Sequence, residues 1–140
     1  MATTDPRPDH HVMLAGAVED LDEVHRRLAE LPETAYGQVF VEVAVTEQVR
    51  ILPAPPRVTV SWLVRTDRPS AVAPLCFADH GEALAAALIG WASEWCRPDA
   101  EPLSSVWIGC SDSVWVEQAR AAVQLELSDA GQSLQVEFGE

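Results

Sequence analysis

The chain has no lysine: all nine basic residues are arginine, set against 22 acidic residues for a net charge of −13. That balance disfavours a nucleic-acid partner, whose binding rests on neutralising phosphates with cations. Cysteine is scarce as well. Cys76, Cys96 and Cys110 are odd in number and widely spaced, with no CxxC or Cys/His ligand spacing. A disulfide framework or metal site is therefore not expected, and buried unpaired thiols are. No apolar run approaches the roughly 20 residues of a membrane-spanning helix. The opening, MATTDPRPDH, has neither the basic start nor the apolar stretch of a signal peptide. A cytoplasmic protein without a membrane partner is the expectation.

What is present suits one folded domain. The 140 residues are 48% hydrophobic, enough for a single core and too much for a disordered chain. Residues 1–10 read as a flexible tail and 11–140 as the domain. Residues 11–15 (HVMLA) suggest a short buried strand with Gly16 turning the chain after it. Leu21, Val24, Leu28 and Leu31 then recur at helical spacing over 19–31, and Glu19, Asp20, Asp22 and Glu23 load its first turn, where the helix dipole favours negative charge. Residues 39–44 (VFVEVA) and 58–64 (VTVSWLV) read as strands from their β-branched content. The 13 residues between them suffice for a parallel crossover, and Pro53, Pro55 and Pro56 forbid a long helix there.

After a proline-interrupted loop over 66–78, Asp79 is a candidate cap for a helix, with Glu82 its capping-box partner. Leu84, Leu88, Trp91 and Trp95 make the apolar stripe of that helix. Residues 106–110 (VWIGC) form a fourth strand, followed by a helix over 113–127 capped by Asp112 or Ser113. Residues 134–138 (LQVEF) form a fifth strand. The alternation predicts an α/β fold: an open, mostly parallel five-stranded sheet with helices on both faces.

In such a sheet, ligands bind beyond the carboxyl ends of the strands where strand order reverses. For the order 3-2-1-4-5 the loops to consider are 16–20 and 109–113. The first, A-G-A-V-E-D, has one glycine and two acids where a phosphate would approach, and reads as a structural turn. The second offers Gly109, Ser111 and Ser113 to an anion, opposed by Asp112. An ordinary strand-to-helix turn explains it equally well. Residues 50–68 hold Arg50, Arg57, Arg65 and Arg68 against Asp67 alone, a local balance of +3 that leaves −16 elsewhere. Screening within about 8–10 Å would let such a patch act on its own as an anion site, and arginines that merely keep the loop and edge soluble account for it equally well. His10, His11, His25 and His80 are scattered and read as surface residues, and spacing places no catalytic group.

Four segments resemble the siderophore-interacting protein family. RRLAELPETAYGQVFVEVA (residues 26–44) is similar to a helix ending in Leu-Pro and the strand after it. Glu47-Gln48 with Leu52-Pro53 resembles the family's Glu-Gln-x-Leu crossover. VTVSWLVR (58–65) resembles its Trp-Leu-x-Arg strand, and VWIGCSDSVWVEQAR (106–120) its Val-Trp-x-Ala-Gly-Glu strand and following helix. The resemblance implies a ferredoxin-reductase-like, Rossmann-like domain, the NAD(P)H-binding half of an FAD-dependent ferric-siderophore reductase. It would place an adenosine phosphate on Arg65 and Arg68 and a pyrophosphate along Gly16, Gly109, Ser111 and Ser113, with NADPH or NADH as cofactor.

The departures from the family pattern matter. Its Gly-Asp-Glu-Thr-Ala loop reads Gly16-Ala17-Val18-Glu19-Asp20 here, and its Ala-Gly-Glu positions are Gly109, Cys110 and Ser111. No flavin barrel is recognised and no FAD is expected. These departures imply a degenerate domain that is not a complete reductase and that either docks on a separate flavoprotein or binds a nucleotide weakly. The alternative is a non-catalytic interaction or dimerisation module with Trp91, Trp95 and Trp115 as contact residues. Direct ferric-siderophore binding has little support, since Trp62 is the one aromatic residue within the arginine-rich stretch.

Overall fold

In the computed structural model, residues 10–99, 103–131 and 137–138 are described. Residues 1–9 of the expected tail lie outside them. Four parallel strands of four to eight residues, β1 (His11–Ala17), β2 (Tyr36–Val43), β3 (Arg57–Val64) and β4 (Ser105–Ile108), lie in the order β3-β2-β1-β4. The fifth strand is shorter than expected. A two-residue β5 (Glu137–Phe138) pairs with β4 at the edge, and residues 134–136 of the expected strand lie outside the described residues.

The central strand explains the layering. Every residue of β1 is buried, as expected for a parallel strand covered on both faces. Its side chains alternate between two cores. Val12 and Leu14 join Val39, Val41 and the helix residues Val24 and Leu28 on one face. Met13, Ala15 and Ala17 join Leu84, Leu88, Trp91, Val116, Ala119 and Val123 on the other. Helix α1 (Leu21–Ala29) therefore covers one face, while α2 (Glu82–Trp95) and α3 (Val114–Asp129) cover its opposite.

Several boundaries differ from expectation for local reasons. Gly16 is not a turn after the first strand but lies within it, paired with Val41, and a 3-10 turn over Val18–Asp20 precedes α1. The stretch between β2 and β3 carries one 3-10 turn, Thr46–Gln48, where the Gln48 side-chain oxygen accepts the N–H groups of Ala44 and Val45 at 2.6 and 3.3 Å. The 66–78 loop is more ordered than its prolines suggest. Pro69 bridges Phe77 in antiparallel fashion, and Ser70 N–H donates to the Cys76 carbonyl at 2.8 Å.

The arginines of residues 50–68 do not make one patch. Arg57 opens β3 and stacks on the Tyr36 ring at 4.9 Å, whereas Arg65 follows its far end. Eight residues of strand separate them by roughly 26 Å, well beyond mutual reinforcement.

Candidate functional site

Because the sheet is parallel, the carboxyl ends of its strands share one edge. β1 and β4 are neighbours there, on either side of the point where chain order reverses. Asp20 fills this crevice. Its Oδ2 accepts the Ala17 N–H at 2.9 Å and the Cys110 N–H at 2.8 Å, so the outgoing ends of both strands converge on one carboxylate oxygen. Gly16 and Gly109 make room for it. A Cβ on Gly16 would lie 2.8 Å from Asp20 Cβ, and one on Gly109 would lie 2.7 Å from Asp20 Cγ.

A second carboxylate is buried beside the first. Glu42, 1% exposed near the end of β2, caps α2: its two oxygens accept the N–H groups of Gly81 at 2.7 Å and Leu84 at 3.0 Å. The capping residue of α2 is thus Gly81, at φ 88°, rather than Asp79. A glycine is required at that point because a Cβ would come within 1.9 Å of the Ser113 hydroxyl oxygen. Glu82 does reach back to the Asp79 N–H at 3.0 Å, as a capping box would. The same carboxylate takes the Ala71 N–H at 2.6 Å and the Ser70 hydroxyl at 2.9 Å. Those hydrogen bonds, the Ala71 N–H first, hold its pKa below the ordinary glutamate value.

Of the residues the sequence singled out, Gly16 and Gly109 come together around Asp20. Ser113 lies nearby but is committed: its hydroxyl donates to the His80 carbonyl at 2.9 Å and accepts the Val116 N–H at 3.4 Å, capping α3. Ser111 is exposed on the same loop. Arg65 faces Glu42, with Nε 3.6 Å from Oε1. Arg68 is exposed and turned to a different feature, an apolar groove of about 430 Å³ lined also by Ala71, Ala78, Ile89 and Trp115. Five of the six therefore divide among a filled crevice, two helix caps and a groove, and Ser111 stays exposed on its loop.

The group with most chemistry is one the sequence reading left scattered. His80 Nε2 lies 3.0 Å from Asp112 Oδ1, 3.3 Å from Glu19 Oε1 and 3.4 Å from Cys110 Sγ. Its Nδ1 faces Glu42 Oε1 at 3.9 Å. The hydrogen bond from His80 holds the Asp112 carboxyl below its ordinary range. Burial pushes the Cys110 thiol far above the ordinary range, and Glu42, Asp112, Asp20 and Glu19 push it further the same way. Cys110 also has a left-handed backbone, φ 55°, uncommon for a residue with a Cβ. An isolated acid within the apolar run VFVEV was the signal for Glu42. No spacing rule joins residues 19, 80, 110 and 112.

Two further expectations change. Cys76 is exposed, so only Cys96 and Cys110 are buried thiols. Trp91 is 4% exposed and belongs to the core rather than to a contact surface.

The comparisons agree with this architecture. The family model described as siderophore-interacting protein matches residues 10–136. The crystal structure of the siderophore-interacting protein SipS from Aeromonas hydrophila aligns at TM-score 0.56 and 21% identity, over 95% of this chain and 50% of that one. A siderophore utilization protein from T. fusca aligns at TM-score 0.55 and 23% identity, over 97% of this chain and 44% of that one. The chain thus spans about half the length of each solved protein. No curated protein sequence matches it.

Proposed function

The chain belongs to the siderophore-interacting protein family, and on that basis we propose that it is a degenerate NAD(P)H-binding-type domain, Rossmann-like in descent. In this reading the fold is kept and the pyrophosphate position is taken by the protein's own carboxylate. One observation carries it: Asp20 Oδ2 receives both strand-end N–H groups, from Ala17 and Cys110. These donors at the switch point are those an anion would need. Asp20 stands at the alanine of the family's Gly-Asp-Glu-Thr-Ala wording.

Glu19 and Asp112 add negative charge beside that crevice. Arg65, the remaining match for an adenosine phosphate, is turned to Glu42. The residues present do not fit a dinucleotide pyrophosphate. Passing single electrons to ferric iron from a hydride donor needs a flavin or its equivalent. In this reading, reduction of a ferric siderophore needs a flavin-bearing module beyond these residues, which span about half of each solved relative.

Calorimetric titration with NADPH and NADH tests this. No saturable heat is expected up to about 1 mM nucleotide, which corresponds to binding weaker than about 4 kcal/mol. Micromolar NADPH binding that weakens in Arg65→Ala would show instead that the cofactor site is retained.

A second reading, an interaction module, is favoured by the groove between α2 and the 66–78 loop. Ile89 is half-exposed, Phe77 is 64% exposed and Leu75 fully so. Arg68 and Pro69 line both this groove and the adjoining hollow under Leu75 and Phe77. A second copy of the chain is the simplest cover. Light scattering that reports a dimer in the parent and a monomer in Ile89→Glu would support it. A monomer at all concentrations would count against it.

A further inference from the structure

We propose that Glu19, His80, Cys110 and Asp112 form a binding site for a divalent transition-metal ion of the zinc class, at the carboxyl edge of the sheet between β1 and β4. One ligand atom from each lies within 4.8 Å of all the others. They come from three separate places in the chain: the turn after β1, the residue before the α2 cap, and the β4–α3 loop.

The spacing around His80 matches a tetrahedral ion, and the remaining ligand pairs lie within 4.8 Å. Zinc–nitrogen and zinc–oxygen bonds of about 2.0–2.1 Å and a zinc–sulfur bond of about 2.3 Å set ligand separations near 3.3 Å for N···O and near 3.5 Å for N···S. His80 Nε2 lies 3.3 Å from Glu19 Oε1, 3.0 Å from Asp112 Oδ1 and 3.4 Å from Cys110 Sγ. Little side-chain movement would admit the ion.

The second imidazole nitrogen points the same way. Nδ1 faces the buried Glu42 carboxylate at 3.9 Å, a charge that favours keeping the proton on Nδ1, so that a bound ion takes the place of the Nε2 proton shared with Asp112. Metal-bound histidines are commonly oriented by a carboxylate in this manner. Glu42 is in turn fixed by the Gly81 and Leu84 N–H groups, so the imidazole is backed by a rigid element.

The donor set selects the metal class. One imidazole, one thiolate and two carboxylates suit a borderline ion better than magnesium or calcium, which take oxygen alone. On binding, Cys110 releases its proton to solvent and the sulfur–metal bond takes its place. The charge of the ion offsets the two acids that face each other across His80. The site is independent of nucleotide binding and stands or falls apart from it.

Cobalt(II) titration of the reduced 140-residue chain tests the proposal, because cobalt takes zinc's geometry and is coloured. One equivalent should give tetrahedral d–d bands with a thiolate-to-cobalt charge-transfer band, both erased by zinc. Cys110→Ser should abolish the charge-transfer band. Asp112→Asn, an exposed change that leaves the far-ultraviolet dichroism intact, should weaken binding at least tenfold. Absence of colour at stoichiometric cobalt would overturn the site. So would a charge-transfer band that survives Cys110→Ser and vanishes in Cys76→Ser, since the exposed thiol would then be the ligand.

Discussion

Asp20 and Cys110 are 90 residues apart in the chain, and the carboxylate of one accepts the backbone N–H of the other at 2.8 Å. With the Ala17 N–H on the same oxygen, this bond ties the ends of β1 and β4 together where a ligand would otherwise enter. Asp20→Ala removes two hydrogen bonds to a charged acceptor and leaves both donors unmatched, so a loss of about 2–4 kcal/mol in urea unfolding is expected. Asp20→Asn keeps an accepting oxygen and should lose about 1 kcal/mol. The vacated donors should also respond to an anion. Inorganic pyrophosphate is expected to raise the melting temperature of Asp20→Ala and leave the parent unchanged. Equal stabilisation of both proteins would show that Asp20 does not occupy the anion position.

Glu42 holds the start of α2 and faces Arg65 and His80 from a fully buried position. In Glu42→Gln the amide oxygen can serve one of the two helix N–H groups while the NH₂ opposes the other. Arg65 also loses its counter-charge. Partial exposure of Arg65 moderates that second effect, because solvent screens the pair. A destabilisation of about 2–4 kcal/mol is expected, carried mainly by the cap. A loss under about 0.5 kcal/mol would mean that the helix start is held by its packing alone.

The three thiols should differ sharply in reactivity. Cys76 is exposed, whereas Cys96 and Cys110 are buried. Burial pushes the Cys96 thiol up to about 11, so it carries almost no thiolate at mildly alkaline pH. One thiol per chain should react promptly with a disulfide reagent in the native protein and three after unfolding. Cys76→Ser should abolish the fast phase. Two or more fast thiols would show that the α2 end or the β4–α3 loop opens readily.

The alternation was legible because β2 and β3 are β-branched runs, β1 and β4 are short apolar ones, and the helices carry their apolar residues at helical spacing. Reversal between β1 and β4 was the order taken for such a sheet, and the loops worth considering followed from it. The site itself was less legible. The family resemblance made Gly16 and Gly109 part of a pyrophosphate path, and they are room for Asp20, one of the two acids that stand where that phosphate would approach. His80 and Cys110 lacked any ligand spacing because the fold, not the local chain, brings them to 3.4 Å. Arginines close in sequence suggested a patch, but a strand carries neighbours in the chain to opposite edges of the sheet. Cys76 looked buried because its sequence surroundings are apolar, and the antiparallel bridge that turns it outward has no local signature.

Glu82 gives a pH dependence of definite sign. Its carboxylate is hydrogen-bonded by Ala71 N–H, Asp79 N–H and the Ser70 hydroxyl, and its folded pKa lies below the ordinary 4.5. The unfolded chain then takes up the proton more readily than the folded one. The stabilisation is complete above about pH 4.5 and is lost as pH falls through the folded value. In Glu82→Gln the amide cannot accept all three donors at any pH, so the variant should be less stable than the parent near neutrality. As pH falls through the folded pKa the parent becomes protonated, carries the same handicap, and the gap should close. Urea unfolding of both proteins over a pH series from neutrality into acid measures it. A gap of constant size would mean that shape rather than charge at residue 82 holds the 66–78 loop on α2.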